Sequence, residues 1–206
     1  MTAVLQVWAD DDAPRVVDHP SVTSARSYER VADYAYAAPD GRRWLTIHDL
    51  AGTAAEAADA GIVEAASKAG DGPDAATVTL FEQIYPAEGW LTADGATAAG
   101  PFPKGNAVLS VVMDVAEEGL DLFAGWYEEE HLPKLVAVPG IDAARRFSAV
   151  DGALAPEPGR KRFLALYEFA NLELLDTEAW AGAASMTPRT EQIVPYIVML
   201  SQLYRS

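Results

Sequence analysis

The chain has 206 residues, of which 50% are hydrophobic and 22% are charged. This composition suffices for one substantial core or two small fused units, and it argues against wholesale disorder. The formal net charge of -16 comes from 31 acidic and 15 basic residues, which argues against binding to a nucleic-acid backbone. The chain has no cysteine, so disulfides, thiolate nucleophiles and cysteine-ligated metal sites are excluded.

The N-terminal stretch MTAVLQVWADDDAPR has neither a charged n-region nor a long apolar h-region, so no secretion signal is expected. No segment approaches the run of about 18 apolar residues that a membrane-spanning helix needs. We therefore expect a cytoplasmic protein that has a small-molecule substrate and neither a membrane nor a nucleic acid as a partner.

The first half of the chain predicts four strands and one long helix. Short β-branched and aromatic runs indicate strands over 4–8, 21–31, 42–50 and 80–85. The alanine-rich segment 52–70 indicates a helix between the last two strands. A connection rich in glycine, proline and alanine follows, and we expect a linker over 89–105.

The second half predicts the same series of elements with one more helix near its start. The predicted strands are 106–115, 141–150, 161–169 and 196–204, and the predicted helices are 117–132 and 176–186. Acidic residues enrich the start of the first of these helices, and Pro133 is expected to end it. Asp176 or Thr177 is expected to be the N-cap of the second.

The two halves repeat each other in sequence. At an offset of 119, residues 21–31 align with 140–150, residues 42–50 with 161–169, and residues 80–85 with 199–204. The first strands align at an offset of 104, which leaves about 15 residues missing from the first half. We infer a repeat over 1–88, with its first helix truncated, a linker over 89–105 and a second repeat over 106–206.

Two βαββαβ units predict an α+β fold made of ferredoxin-like repeats. Each antiparallel sheet would have one face covered by helices, so the bare faces are expected to pack face to face as an α/β barrel. Strand alternation gives each sheet two faces. We expect the aliphatic faces (Leu45, Ile47, Leu164, Leu166) to meet the helices and the aromatic faces (Trp44, His48, Phe163, Tyr167) to line the interior.

The segment WYEEEHLPKLVAVPGIDAARRF, followed by RFLALYEF, resembles the EthD-type dimeric α/β-barrel proteins. It fits the form W-Y-x-x-E-H-L-P-x-L-x-x-x-P-G-x-x-x-x-x-R-[FY], and the resemblance covers 106–206. It implies ferredoxin-like units that pair through their sheets into a barrel. Relatives in the wider superfamily include cofactor-free isomerases, decarboxylases, dehydratases, quinone-forming monooxygenases and haem enzymes. A fused duplication implies a barrel closed within one chain. A homodimer is the alternative.

His131 is the strongest catalytic candidate, because it matches the histidine of that motif and titrates near neutrality. Tyr127 lies on the same helical face, and Trp126 precedes it. Glu128 and the end of the helix would both favour the imidazolium form. The alternative is a helix-terminal histidine that only satisfies loose carbonyl groups before Pro133.

Residues of the predicted strands form a second group of candidates. His48 and its repeat counterpart Tyr167 are expected to project into the barrel, where Trp44 and Phe163 would contact the substrate. Arg145, with its counterpart Arg26, would bind a carboxylate or phenolate. The alternatives are aromatic packing at the interface of the sheets and ion pairs at strand ends.

No cofactor is predicted from these residues. The three histidines are far apart and form no metal-binding pattern, so no metal site is expected. The chain has no phosphate-binding glycine motif and no G-x-S-x-G sequence. Haem bound through a single axial histidine is an alternative that the sequence leaves open.

The expected function is that of a cofactor-independent enzyme acting on a small apolar substrate, aromatic or polyketide-like, as in secondary metabolism. His131 would act as general acid or base in an isomerase, dehydratase, cyclase or decarboxylase, with Tyr127, His48 or Tyr167 stabilising an enolate-like oxygen. One alternative is a cofactor-free monooxygenase of the same fold. Another is a non-catalytic, small-molecule-binding or pathway-associated protein.

Overall fold

The computed structural model describes residues 3–9, 16–31, 42–68, 77–99, 105–152, 156 and 158–206. Its strands are β1 (Ala3–Ala9), β2 (Val22–Arg30), β3 (Trp44–Leu50), β4 (Thr77–Tyr85), β5 (Trp90–Leu91), β6 (Thr97–Ala98), β7 (Ala107–Ala116), β8 (Ile141–Gly152), β9 (Arg160–Phe169) and β10 (Ile197–Arg205). Its α-helices are α1 (Ala54–Asp59), α2 (Ile62–Lys68), α3 (Leu120–Trp126), α4 (Leu132–Val136), α5 (Glu178–Ala183) and α6 (Pro188–Ile193). A π-helical turn (Tyr127–His131) joins α3 to α4, and 3-10 turns lie at Glu117–Gly119, Glu173–Asp176 and Val194–Tyr196. The predicted α+β class, with a large antiparallel sheet, is confirmed.

The strands of the two halves pair in the same scheme. In the first half β1 pairs with β3 and β4, and β2 pairs with β3. In the second half β7 pairs with β9 and β10, and β8 pairs with β9. The halves join through two equivalent junctions, β2 with β10 and β4 with β8, so that all strands belong to one ten-stranded sheet. The two sheets predicted as separate are therefore one sheet, because the halves meet edge to edge and satisfy each other's backbone groups.

The register shows one error in the predicted repeat. Val4 pairs with Phe81 and its counterpart Val108 pairs with Tyr204, so the last strands correspond at an offset of 123 rather than 119. The alignment of 80–85 with 199–204 therefore slipped by four residues. Because four is even, the slip keeps each side chain on its correct face and the alternation in the sequence does not reveal it.

The side chains shared by the two halves form the central cluster. Its members are Val4, Trp8, Tyr28, Leu45, Ile47 and Phe81 from the first half, and Val108, Phe147, Leu164, Leu166 and Tyr204 from the second. The predicted assignment of faces is thus inverted. Aliphatic residues meet at the centre, and the alternate residues of β9, Phe163 and Tyr167, face the helices. Period-two alternation separates two faces of a strand, but it does not say which of them is covered by helices.

Two further clusters pack the helices on the sheet. The second-half helix cluster includes Phe123, Trp126, Tyr127, Phe163 and Tyr167. The first-half helix cluster joins α1 and α2 to β1 and β4. The single helix predicted over 52–70 is interrupted at Gly61, whose φ of 80° provides the left-handed residue after the end of α1.

The helix that begins at Leu120 and carries Trp126, Tyr127 and His131 continues past Pro133 instead of ending there. In the π turn the amide of Leu132 donates to the carbonyl of Tyr127, five residues earlier. Pro133 has no amide hydrogen to donate, and the widened turn accommodates it at the start of α4. His131 therefore lies within a helical segment that runs on to Val136, and not at a helix end.

The connections differ between the halves. Between β1 and β2 the described residues 16–21 contain no helix, and residues 10–15 lie outside the described part. Within the predicted linker, β5 and β6 form a short hairpin, and Leu91 pairs with Ala144 on β8. The residues described there thus extend the sheet.

Candidate functional site

The π turn places three motif side chains against one another above the sheet. The ring of His131 stacks on Trp126 with centroids 4.3 Å apart and meets Tyr127 edge-on at 5.1 Å. Within the described residues, no hydrogen bond to the His131 imidazole is found. Burial, aided by the charge of Lys134, lowers the pKa of His131 to about 4, so the ring is neutral at neutral pH. The expected stabilisation of the imidazolium is therefore wrong.

Tyr127 and Tyr167 form a buried pair of hydroxyl groups beneath that turn. Their Oη atoms are 2.9 Å apart, and each residue is 1% exposed. Burial raises the pKa of Tyr127 to about 12 and raises the pKa of Tyr167 well above its ordinary value. Both phenols therefore stay protonated and serve as hydrogen-bond donors or acceptors, not as bases.

Arg146 on β8 is a functional candidate that the sequence analysis missed. Its guanidinium lies 5.1 Å from the ring of Phe123 and 5.4 Å from those of Tyr127 and Phe163. It pairs with Glu128 at 3.1 Å, which takes that carboxylate away from His131. Burial lowers its pKa from a high starting value, and its Nε has no hydrogen-bond partner in the described part of the chain.

The arginine of the motif itself was the signal for this residue. In the form R-[FY], the arginine followed directly by the aromatic residue is Arg146, before Phe147. Arg145 is its neighbour along the strand, so it points to the opposite face. There it pairs with Asp49 at 3.0 Å instead of joining the aromatic cluster.

The strand residues predicted from the first half do not reach this site. His48 is fully buried in the first half, where its Nε2 accepts a hydrogen bond from the amide of Val17 at 3.1 Å. Trp44 lies on the same face of β3 and is covered by Arg43, whose guanidinium is 5.4 Å from its ring. The predicted meeting of His48 with Tyr167 is wrong, because each residue faces the helix side of its own half.

Four charged residues meet on the opposite face, at the junction of the halves. Arg26 binds Glu168 at 2.6 Å and Asp49 at 3.1 Å, and Arg145 binds Asp49. Asp49 and Glu168 are repeat counterparts, as are Arg26 and Arg145. Burial raises the pKa of Glu168 to about 7 in spite of the attraction of Arg26. These arginines bind the protein's own carboxylates, as the ion-pair alternative expected.

A pocket of about 380 Å³ opens at the other end of the central cluster, and none of the predicted site residues lines it. Its walls are Trp8, Arg42, Thr77, Ser110, Val112, Asp114, Arg162, Val198, Met199, Leu200 and Gln202. Among the described residues, no group of three histidine or carboxylate side chains could hold a metal ion. None of the helices described is long and apolar enough to cross a membrane.

No known protein family matches the sequence, and no curated protein matches it either. Solved structures do match. An anthrone oxidase-like protein has a TM-score of 0.59 at 13% identity, covering 99% of this chain and 90% of its own. A candidate monooxygenase from Fusobacterium nucleatum subsp. nucleatum has a TM-score of 0.54 at 8% identity, covering 99% and 91%. A candidate chlorite dismutase has a TM-score of 0.51 at 10% identity, covering 99% and 93%.

At these identities the likeness shows the fold alone. The chain shares the ferredoxin-like α+β fold of the three proteins.

Proposed function

We propose that the chain is a cofactor-independent enzyme that transfers protons on a small, largely apolar aromatic substrate, with His131 as general acid and base. The observation that carries this proposal is a neutral imidazole against Tyr127, whose hydroxyl pairs with Tyr167 and whose ring lies beside the buried Arg146. Aromatic side chains with a few polar groups among them suit such a substrate. The π turn adds support, because π-helical turns are frequent at functional sites.

The proposed step is a tautomerisation. His131 takes a proton from a carbon next to a carbonyl group, and the electron pair of that C–H bond becomes the C=C bond of an enolate. The negative charge moves to the substrate oxygen, where the hydroxyl of Tyr127 or Tyr167 and the guanidinium of Arg146 stabilise it. The imidazolium then returns the proton to another atom of the substrate. Dehydration would follow from the same enolate when it expels a hydroxyl group from the β-carbon as water, with the proton supplied by the imidazolium. Decarboxylation of a β-keto acid would instead form such an enolate by loss of CO2, and the same groups would stabilise it.

The low pKa of His131 fits this cycle in one respect and limits it in another. The imidazole is uncharged through the neutral range, so it can always accept a proton. It is a weak base, and the driving force must therefore come from stabilising the enolate. The hydroxyl pair and Arg146 provide that stabilisation in a site of low polarity.

A cofactor-free monooxygenase is the second candidate, favoured by the fold shared with an anthrone oxidase-like protein. It begins with the same removal of a proton. The substrate carbanion would then reduce dioxygen, so that a CH2 group becomes a carbonyl and one water molecule is released. Oxygen consumption separates the two candidates.

Anthrone tests both, because its acidic CH2 group is conjugated with its carbonyl through the flanking rings. Its deprotonation therefore gives an anthrolate oxygen, the aromatic counterpart of the proposed enolate. We expect the protein to accelerate deuteration of that CH2 group in D2O under argon, followed by proton NMR. His131→Phe keeps a flat ring for Trp126 and should abolish the acceleration while the melting temperature stays within about 2–4 °C. Oxygen uptake measured in air then distinguishes the monooxygenase.

Two outcomes would refute the proposed enzymatic function. If His131→Phe exchanges as fast as the wild type, the imidazole is not the base. If anthrone shifts the His131 signal in NMR but its deuteration is not accelerated, the site is a binding site, in agreement with the non-catalytic alternative. The chain has three histidines, so His131 can be assigned with single variants.

We also propose that the chain is a tandem duplication of an EthD-type unit, with repeats over 1–88 and 106–206, closed as an α/β barrel within one molecule. The equivalent pairing schemes of the halves and their two equivalent junctions support this. An eight-stranded barrel has an interior just filled by side chains, which agrees with the central cluster. Closure of this kind does not require a homodimer.

A further inference from the structure

We propose that the pocket at the Arg162 end of the central cluster is a second small-molecule site, separate from His131. Its ligand class is a flat, uncharged aromatic molecule that carries hydroxyl or keto oxygens. The pocket lies on the face of the sheet opposite to Phe163 and Tyr167, so it is not a part of the site under the π turn. This proposal stands independently of the proposed enzymatic function.

Apolar side chains form most of the wall. Trp8 comes from the first half, while Val112 on β7 and Val198, Met199 and Leu200 on β10 come from the second. The three β10 residues are 60%, 60% and 43% exposed, which is high for consecutive large apolar residues of a strand. A flat ring placed against Trp8 would cover Val198 and Leu200, which lie opposite Asp114 and Val112 on the pocket face of the sheet.

The pocket exists because the second half has smaller side chains than the first. The pairing of Val4 with Asp49 and of Val108 with Glu168 makes Ser110 the counterpart of Gln6, and Val112 the counterpart of Trp8. At both positions the residue of the second half is the smaller one. Trp8 and Gln6 are 5% and 0% exposed, so the larger side chains of the first half fill the equivalent space.

An ion pair gives the pocket its polarity. Arg162 donates to Asp114 through Nε at 2.7 Å and through Nη2 at 2.6 Å. Both side chains are mostly buried, 13% and 17% exposed. Such a pair presents donors and acceptors together, which matches a ligand bearing both hydroxyl and carbonyl oxygens.

Charge and size narrow the ligand class further. Asp114 balances Arg162 within the pocket, Arg42 of the wall has a contact of its own, and the net charge of -16 disfavours anionic ligands at a distance. The volume of about 380 Å³ lies near the small end of known ligand pockets. It has room for a bicyclic or tricyclic ring system. We therefore expect uncharged hydroxylated aromatic ketones or lactones to bind, and simple carboxylates to bind weakly.

The methionines provide the test, since the chain has four. Met199 lines the pocket, Met113 is buried in the second-half helix cluster, and Met186 adjoins Ser185 and Thr187. Those two neighbours contact Lys134 and Glu130, so Met186 reports on the region around His131. The probe is 7-hydroxycoumarin in mildly acidic buffer, where it is uncharged. It is titrated into protein labelled with [15N]methionine, because the Met199 side chain shares the helix face with Met113 while its backbone belongs to the wall of the pocket.

We expect a saturable shift of the Met199 amide signal, with the Met186 amide signal unchanged. Ser110→Gln installs the residue of the first half and should weaken binding by about tenfold or more, and Val112→Trp should abolish it. If Val112→Trp does not fold, the affinity of Ser110→Gln for the probe alone tests the proposal. His131→Phe should leave the Met199 titration unchanged, which separates this site from the enzymatic one.

Three results would overturn the proposal. One is the absence of a saturable Met199 shift up to the solubility limit of the probe. Another is a shift of Met186 without Met199, which would place the ligand under the π turn. The third is a Met199 shift that follows protein concentration in the absence of the probe, which would identify a second copy of the chain as the occupant.

Discussion

Arg26 on β2 donates to Glu168 on β9 at 2.6 Å, and this contact ties the first half of the chain to the second. The Glu168 side chain is fully buried, and its other oxygen accepts from the amide of Gly105 at 3.1 Å. Asp49, the repeat counterpart of Glu168, forms ion pairs with both Arg26 and Arg145. Burying charges is costly unless every partner is present, so the junction depends on the complete set.

Removing Arg26 should therefore destabilise the protein strongly. Arg26→Met leaves Glu168 buried without its cation, and we expect a loss of about 3–5 kcal/mol in the free energy of unfolding. Arg43→Met is the matched control, because Arg43 pairs with Glu29 on the surface, with side chains 58% and 35% exposed. That variant should lose less than about 1 kcal/mol. Urea unfolding measures both, and equal losses would contradict the role assigned to the junction.

Glu168 and His131 should give stability opposite dependences on pH. The folded pKa of Glu168 is about 7, above the ordinary 4.5, so the folded state binds more protons and stability falls as pH rises through this window. The folded pKa of His131 is about 4, below the ordinary 6.5, so the unfolded state binds more protons and stability rises with pH there. Each effect amounts to about 3 kcal/mol at most.

The difference in unfolding free energy between a variant and the wild type isolates the contribution of each titrating group. The stability of Glu168→Gln relative to the wild type should rise between pH 4.5 and 7, where the wild type loses the contribution of Glu168. The stability of His131→Phe relative to the wild type should fall between pH 4 and 6.5. Denaturant titrations at a series of pH values test this, and differences of the opposite sign would exclude the assigned pKa shifts.

The tyrosine pair should show coupling. Tyr127→Phe removes one hydroxyl and leaves that of Tyr167 buried without its partner, which should cost about 1–3 kcal/mol. Replacing both by phenylalanine removes both polar groups, so the double variant should lose less than the sum of the two single variants. A double-mutant cycle from thermal or urea unfolding measures this, and simple additivity would mean that the hydroxyl contact is weak.

The sequence predicts the positions of the strands well. It predicts less well which face of each strand is covered by helices and where the motif helix ends. The apolar runs predicted β1 to β4 and β7 to β10, because a strand is defined locally by its alternating pattern. Which face lies inside depends on strands far apart in the chain, so Leu164 and Phe163 were assigned to the wrong sides. The end of the motif helix was misplaced because proline breaks an α-helix but is accommodated after a π turn, as at Pro133.

The candidate site was predictable only in its helical part. Trp126, Tyr127 and His131 are close in sequence and meet through the helix, whereas Phe163 and Tyr167 reach them from β9. The contact between these helix and strand residues is predicted from the sequence, but at the interior of the barrel. The structure places it between the sheet and the helices. The register of β8 places Arg146, and not Arg145, beneath the helix, in agreement with the motif arginine that directly precedes Phe147.

His48 provides the last prediction, because the structure assigns it to packing and not to chemistry. Its Nε2 accepts from the amide of Val17, so His48→Leu should leave that amide without its partner and cost about 1–3 kcal/mol. His48→Gln retains an acceptor and should recover part of the loss. Neither change should alter the NMR signal of His131 or the exchange of anthrone, since His48 belongs to the other half. His131→Phe should show the reverse pattern, with exchange lost and stability near neutral pH nearly kept. If His48→Gln is stable but exchange is lost, His48 contributes to catalysis and the reassignment is wrong.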